Sequence, residues 1–243
     1  MLSVYFKEIN SFFSSLIAYM VIAVFLIMTG LFMWVFRDTS ILSYNYASLS
    51  QLFALAPMIF LFLIPAVTMR SFAEENQRGT IEMLATKPLS DTQIVAGKYF
   101  ANLTLVLFAL LPTLIYYYSV YQLGSPPGNL DSGGILGSYI GLSFLAAAFV
   151  AIGMFTSSLT DNQIVAFILG SFLCFTVHWS FDFLADLPAF VGGADTYIAK
   201  FGIAHHYDSI SRGVLDSRDV IYFISVVVIF FLATLTSVGR RKW

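Results

Sequence analysis

Three groups of residues in this chain have types and spacings that chemistry uses. His178 and Asp182 lie four positions apart, with Cys174 four positions earlier, so a helix would put all three on one face. A histidine one turn from a carboxylate can carry a proton or supply half of a metal site. A Cys–His–Asp row on one helix is not a nucleophilic triad, because those groups must converge on a single atom. The alternative for this row is structural: Asp182 wetted near the end of a span, His178 paired to it, and Cys174 packed. His205, His206 and Asp208 form the second group, and they are the candidate ligands should a metal bind. Adjacent helical positions point about 100° apart, so this set chelates poorly by itself and no metal is expected. The third group is a run of charge, Glu74, Glu75 and Arg78, closed by Gly79.

Composition says what must position these groups. The 243 residues are 58% hydrophobic and 17% aromatic, and only 11% are charged, against about 25% in soluble domains. The mean hydropathy of +0.83 is too high for one soluble core to hide. This excludes a cytosolic enzyme, a disordered regulator and a nucleic-acid binder, which needs a basic surface; the net charge is -2. A single cysteine leaves no intrachain disulfide and no thiolate cluster.

Six stretches reach the roughly 20 apolar residues that a span requires: Ser15–Phe36, Leu49–Met69, Ile94–Tyr121, Ile135–Leu159, Gln163–Leu184 and Val220–Val238. They are too long and continuous for barrel strands, and the first has neither the length nor the cleavage site of a signal peptide. The fold class expected is all-α, a polytopic bundle of six transmembrane helices forming one domain over 1–243. The span interiors hold almost no ionisable groups. Asn102 is polar within the third span; it could line a transport route or bond to a neighbouring helix.

Loop charge orients the bundle. With the N-terminus, the 70–98 connection, the 159–162 turn and the C-terminus on one side, that side carries eight of the 12 cations (Lys7, Arg70, Arg78, Lys87, Lys98, Arg240, Arg241 and Lys242). Both termini are therefore expected in the cytoplasm. Residues 1–14 place Leu2, Val4, Tyr5, Phe6, Ile9, Phe12 and Phe13 in an apolar stripe around Lys7, Glu8 and Asn10, the pattern of a helix lying in the membrane interface.

The 70–98 connection has the most specific pattern. Gly79 permits a sharp backbone change, Thr80 can cap a helix with Glu82 in its first turn, and Ile81, Leu84 and Ala85 make an apolar face. Pro88 stops that helix. Ser90 starts the next, with Gln93 at the capping-box position. The product is a short amphipathic helix over about 80–86 between two spans. A helix lying on lipid would carry cations on its polar face, whereas this one offers Glu82, which favours a groove on a protein.

Phe72-x-Glu-Glu-x4-Gly-Thr-Ile-Glu-x-Leu-x3-Pro-x-Ser-x3-Ile-x2-Gly-Lys98 resembles the corresponding segment of ABC transporter permeases of the type 2 exporter class. The interfacial N-terminal helix, six spans and long connection before the last span agree, and the resemblance covers the whole chain. It implies that Glu74, Glu75, Gly79, Thr80, Ile81, Glu82, Leu84 and Pro88 form the region docking into an ATP-binding subunit. It implies a second permease half, identical or related, and a place in the bacterial inner membrane. Within the class, overall likeness is to the permease subunit associated with gliding motility, so the partner half could be a related membrane subunit of that system, with export or gliding and secretion machinery as the coupled task. The chain has no phosphate-binding glycine loop, so ATP and magnesium are expected in the partner and no cofactor in this chain.

The external connection, 185–218, has an apolar stretch too short to span (Tyr197, Ile198, Phe201, Ile203 and Ala204), read as a pair of short helices lying in the outer leaflet or re-entering it. Two other function classes compete: a membrane scaffold that anchors a motility or secretion complex without turnover, and an intramembrane enzyme. The enzyme would need catalytic groups converging from several spans, and this sequence concentrates them on one.

Overall fold

The computed structural model describes residues 1–44, 46–79, 89–188, 190, 193 and 195–240. Among these residues the regular elements are all helical. Helix α1 (Leu2–Ser14) stops where Ser15 turns extended, and the Ser15 hydroxyl caps Ile17 N–H at the start of α2 (Leu16–Gly30). The N-terminal helix is thus a separate element from the first span. A π turn over Leu31–Val35 continues α2, and the short α3 (Ile41–Tyr44) precedes α4 (Ser50–Thr68), which contains Pro57 and Pro65. α4 gives way at Met69 to α5 (Arg70–Gln77).

α6 (Asp91–Leu110) opens on the expected capping box. The Ser90 hydroxyl accepts from Gln93 N–H, and the Gln93 side chain accepts from Ser90 N–H. Pro112 lies in a 3-10 turn, Leu111–Thr113, that leads into α7 (Leu114–Leu123). Then follow α8 (Ser132–Leu159), α9 (Gln163–Ala185), the short helices α10 (Asp195–Ala199) and α11 (Ile203–Ser211), and α12 (Ser217–Arg240).

Six helical stretches are long and apolar enough to cross a membrane: Leu16–Val35, Ser50–Gln77, Asp91–Leu123, Ser132–Leu159, Gln163–Ala185 and Ser217–Arg240. They match the six spans expected from hydropathy. The second overruns its apolar stretch, so Glu74 and Glu75 stand on a helical stem. α8 is the hub, touching α4, α5, α6, α9, α11 and α12. Its small residues allow the approach. The Thr68 hydroxyl of α4 fills the space that a β-carbon on Gly153 would take, and a β-carbon on Gly170 of α9 would stand 3.0 Å from Thr156 Oγ1 and 3.2 Å from Pro65 Cβ. The apolar part of α8 is 67% buried, whereas α2, α9 and α12 bury only 22%, 28% and 17% of theirs. Those three helices therefore present apolar surface outward, to lipid or to another protein.

Candidate functional site

The helix ends that carry the N-terminus, both stems of the 80–88 connection, the Thr160 turn and the last turn of α12 gather at one end of the bundle. Asn76 Nδ2 donates to the Thr160 carbonyl at 3.3 Å, and Ser237 Oγ donates to the Ser158 carbonyl at 3.1 Å. α1 lies against α6 because Gly97 clears a path. A β-carbon there would be 2.9 Å from Val4 Cβ and 3.0 Å from the Met1 carbonyl oxygen.

Inside this end sits an ionic cluster of two cations and two anions. Lys98 Nζ, on a side chain 1% exposed, meets Glu8 Oε1 of α1 at 3.0 Å and Glu75 Oε1 of α5 at 2.9 Å. Lys7 Nζ reaches the same two oxygens at 3.2 Å and 2.9 Å from the outside. The ammonium of Lys98 also lies 5.3 Å from the centre of the Phe72 ring. A buried cation is tolerated only when paired and hydrogen-bonded, and here both conditions hold. Burial opposes ionisation of Glu8, but Lys98 and then Lys7 outweigh it and hold its carboxyl below the ordinary glutamate value. Burial likewise disfavours the Lys7 cation, and its bonds and attraction to Glu75 and Glu8 more than restore it, leaving its pKa above normal.

The cluster has a neutral hydrogen-bonded counterpart at the α4–α5 elbow. Ser157 Oγ, from α8, donates to the Met69 carbonyl at 2.8 Å and accepts from Phe72 N–H at 3.0 Å and Ala73 N–H at 3.1 Å. A hydroxyl has one proton and two lone pairs, so Ser157 is fully used. Asn102 Nδ2 bridges the Ser71 hydroxyl at 2.9 Å and the Lys98 carbonyl at 2.8 Å, joining α6 to α5. Around the outside, Glu74 is clamped by Arg70 (Nε to Oε2, 2.6 Å) and by Arg78 (2.8 Å). Gly79 closes α5 with a positive φ of 66°.

The site residues expected from the sequence divide accordingly. Glu74, Glu75 and Gly79 are brought together on and just after one stem. Thr80, Ile81, Glu82, Leu84 and Pro88 lie outside the described residues. Asn102, offered either as a lining group for a transport route or as a bond to a neighbouring helix, makes the helix–helix bond and is 1% exposed. The sequence reading missed the inward role of Lys7, Glu8 and Lys98, and it missed Ser157. The signal for Lys7 and Glu8 was present in the charges set inside the apolar stripe of 1–14, and that for Lys98 in a cation following the Ser90 cap within a helix that becomes a span.

At the opposite end His178 departs from expectation. His178 and Asp182 are not hydrogen-bonded to each other. The His178 ring, on a residue 2% exposed, packs against Phe149, Trp179 and Tyr207, and its Nδ1 has no partner among the described residues. Asp182 instead lines an open cleft with His205, Asp208, Ser211 and Arg212. Burial lifts the Asp208 carboxyl above its ordinary value, against the pull of Arg212 and His205. His206 is fully engaged, with Nδ1 at 2.7 Å from Asp219 Oδ1, Nε2 at 2.9 Å from the Lys200 carbonyl, and its ring stacked on Tyr222. His205 and His206 therefore do not converge. Among the described residues no three His, Cys, Asp or Glu side chains are placed to hold a metal. The two short helices expected before the last span are α10 and α11; α11 buries Ile203, Ala204, Tyr207 and Ile210, and Tyr207 donates to the Phe53 carbonyl at 2.7 Å.

Among the described residues this arrangement joins helices and does not bring a nucleophile, base and acid onto one point. It is a mechanical one, which ties the two stems of a connection to each other and to the N-terminal helix. Among curated proteins no relative matches the chain. The family profile described as ABC-2 family transporter protein matches residues 37–190, which include the connection, both of its stems and the whole of α8. Since that match covers well over half of the sequence, the chain belongs to the ABC-2 transporter family, as a multi-pass membrane component of an ABC transporter.

Proposed function

We propose that this permease couples ATP hydrolysis in a separate ATP-binding subunit to export, and that residues 70–98 are the coupling region. Glu74, Glu75, Gly79, Thr80, Ile81, Glu82, Leu84 and Pro88 are the residues on which the partner acts. The observation that carries this reading is the buried Lys98 bridge. α5 and α6 are the two stems of the connection, and Glu75 and Glu8 share one buried ammonium with both stems and α1. A push on the connection is therefore delivered to α1, α5 and α6 together, and through Ser157 to α8. The end holding both termini faces the cytoplasm of the bacterial inner membrane; the eight-to-four division of cations supports that orientation. The outward apolar surfaces of α2, α9 and α12 leave room for a second permease half, either another copy or a related subunit. ATP and magnesium belong to the ATP-binding partner. Gliding-motility or secretion machinery is the narrower task suggested by overall likeness of sequence.

The test is purification of the chain with its partners from native membranes, followed by an ATPase assay. Vanadate-sensitive turnover that falls to background in a Glu82→Lys, Leu84→Asp double variant, with membrane insertion intact, is the expected result. Undiminished turnover in that variant overturns the assignment of the coupling region. A monodisperse preparation without any ATPase favours a scaffold.

A further inference from the structure

We propose that the groove between α2 and α4 is a phospholipid site, taking one acyl chain along its length and an anionic headgroup at Arg70. The groove has a volume of about 630 Å³ and, apart from Arg70, is lined only by apolar side chains. From Leu55 to Met69 its α4 wall rises through 14 residues, which is about 21 Å at 1.5 Å per residue. One leaflet of a ~30 Å hydrocarbon core is about 15 Å deep, so an acyl chain of that leaflet fits within the groove. Met20, Met28, Met58 and Met69 all line it, half of the eight methionines in the chain. Unbranched thioether side chains adapt to a partner that keeps its own disorder, as a lipid tail does.

Charge selects the headgroup. The inner cluster of Lys7, Glu8, Glu75 and Lys98 is neutral, two cations against two anions. The outer triad is not, since among the described residues Arg70 and Arg78 both pair with the one carboxylate of Glu74. Its formal charge is +1, and Arg70 is the member that lines the groove, at the end of the span. Arg70 meets Glu74 through Nε and one Nη2 hydrogen. A guanidinium has five N–H groups, so three remain to donate to a phosphate. A basic group at the mouth of an intramembrane groove is the arrangement that retains acidic phospholipids. The inference rests on the membrane reading and is independent of the coupling assignment.

The experiment is native mass spectrometry of the full chain in detergent, given equal amounts of phosphatidylglycerol and phosphatidylcholine. Wild-type protein should retain the anionic lipid over the zwitterionic one by about fivefold, the effect of one cation near a membrane surface. Arg70→Gln should bring the two lipids level. Ala66→Phe, which fills the groove, should reduce retention of both, and circular dichroism checks that each variant is still helical. Equal retention of the two lipids by the wild type, a measurement independent of any variant, overturns the proposal. So does unchanged retention in Ala66→Phe. A dimer that Ala66→Phe dissociates, with no lipid bound to the wild type, would assign the groove to a second copy of the chain instead.

Discussion

Replacing Lys98 with methionine keeps most of the length of the side chain but deletes the charge, and with it the approach of the ammonium to the Phe72 ring. In the folded chain that one ammonium serves Glu8 at 3.0 Å and Glu75 at 2.9 Å. Without it, the cation that Glu8 and Glu75 still share among the described residues is Lys7, whose side chain is 55% exposed. Removing one member of a buried ion pair costs about 3–5 kcal/mol. Both glutamate side chains keep 12% exposure and Lys7 stays in place, so the low end, about 3 kcal/mol, applies. At about 2–4 °C per kcal/mol for a chain of this size, the Tm in detergent should fall by about 6–12 °C. Glu8→Gln with Lys98→Met removes a charge of each sign, so the double variant should recover part of that loss, with a coupling energy of about 1–3 kcal/mol between the two sites. A shift under about 2 °C for Lys98→Met, or single effects that add within about 0.5 kcal/mol, would refute the idea that this cluster holds α1 to the stems.

Gly97→Leu puts a branched side chain where Val4 Cβ and the Met1 carbonyl already stand; α1 should lose its seat and become open to proteolysis while the spans remain inserted. For acid, the sign follows from Glu8. Its native pKa lies below the ordinary 4.5, so its contribution is complete above 4.5 and disappears as pH falls through the lowered native value. An environment-sensitive dye on Ser3→Cys should report release of α1 only in that acidic range; the native thiol, Cys174, is buried and does not compete. At the other end, His206→Ala loses the Asp219 and Lys200 bonds and should cost about 2 kcal/mol, a Tm drop of roughly 4–8 °C. His205→Ala, beside an open cleft, should shift Tm by less than about 2 °C.

Hydropathy and local capping reach only a few residues along the chain, and what they govern was legible. The six spans, the separate helix over 1–14, and the Ser90–Gln93 start of α6 could all be read from short windows. Lys98 could be placed near a membrane boundary by the same means. Its partners could not, because Glu8 is 90 positions away and the pairing depends on how α1 packs over Gly97. Helical spacing suggested a His178–Asp182 pair, but the bundle turns His178 among aromatic rings and leaves Asp182 to a cleft. The apolar face of Ile81, Leu84 and Ala85, and Glu82 with it, lies outside the described residues.

The distances in sequence across the elbow also bear on how the protein is made. Phe72 and Ala73 take their hydrogen-bond partner from Ser157, 85 and 84 positions later, and Glu8 takes Lys98 from 90 positions later. At about 5–20 residues per second, translation needs roughly 5–20 s to cover such a gap. During that interval the first two spans have emerged, but the groups that fix α1 and bend the second span have not. The N-terminal third of the chain therefore acquires its final form late. A ribosome stalled before α8 would display an elbow without the Ser157 hydroxyl, which makes the fourth span a checkpoint in assembly.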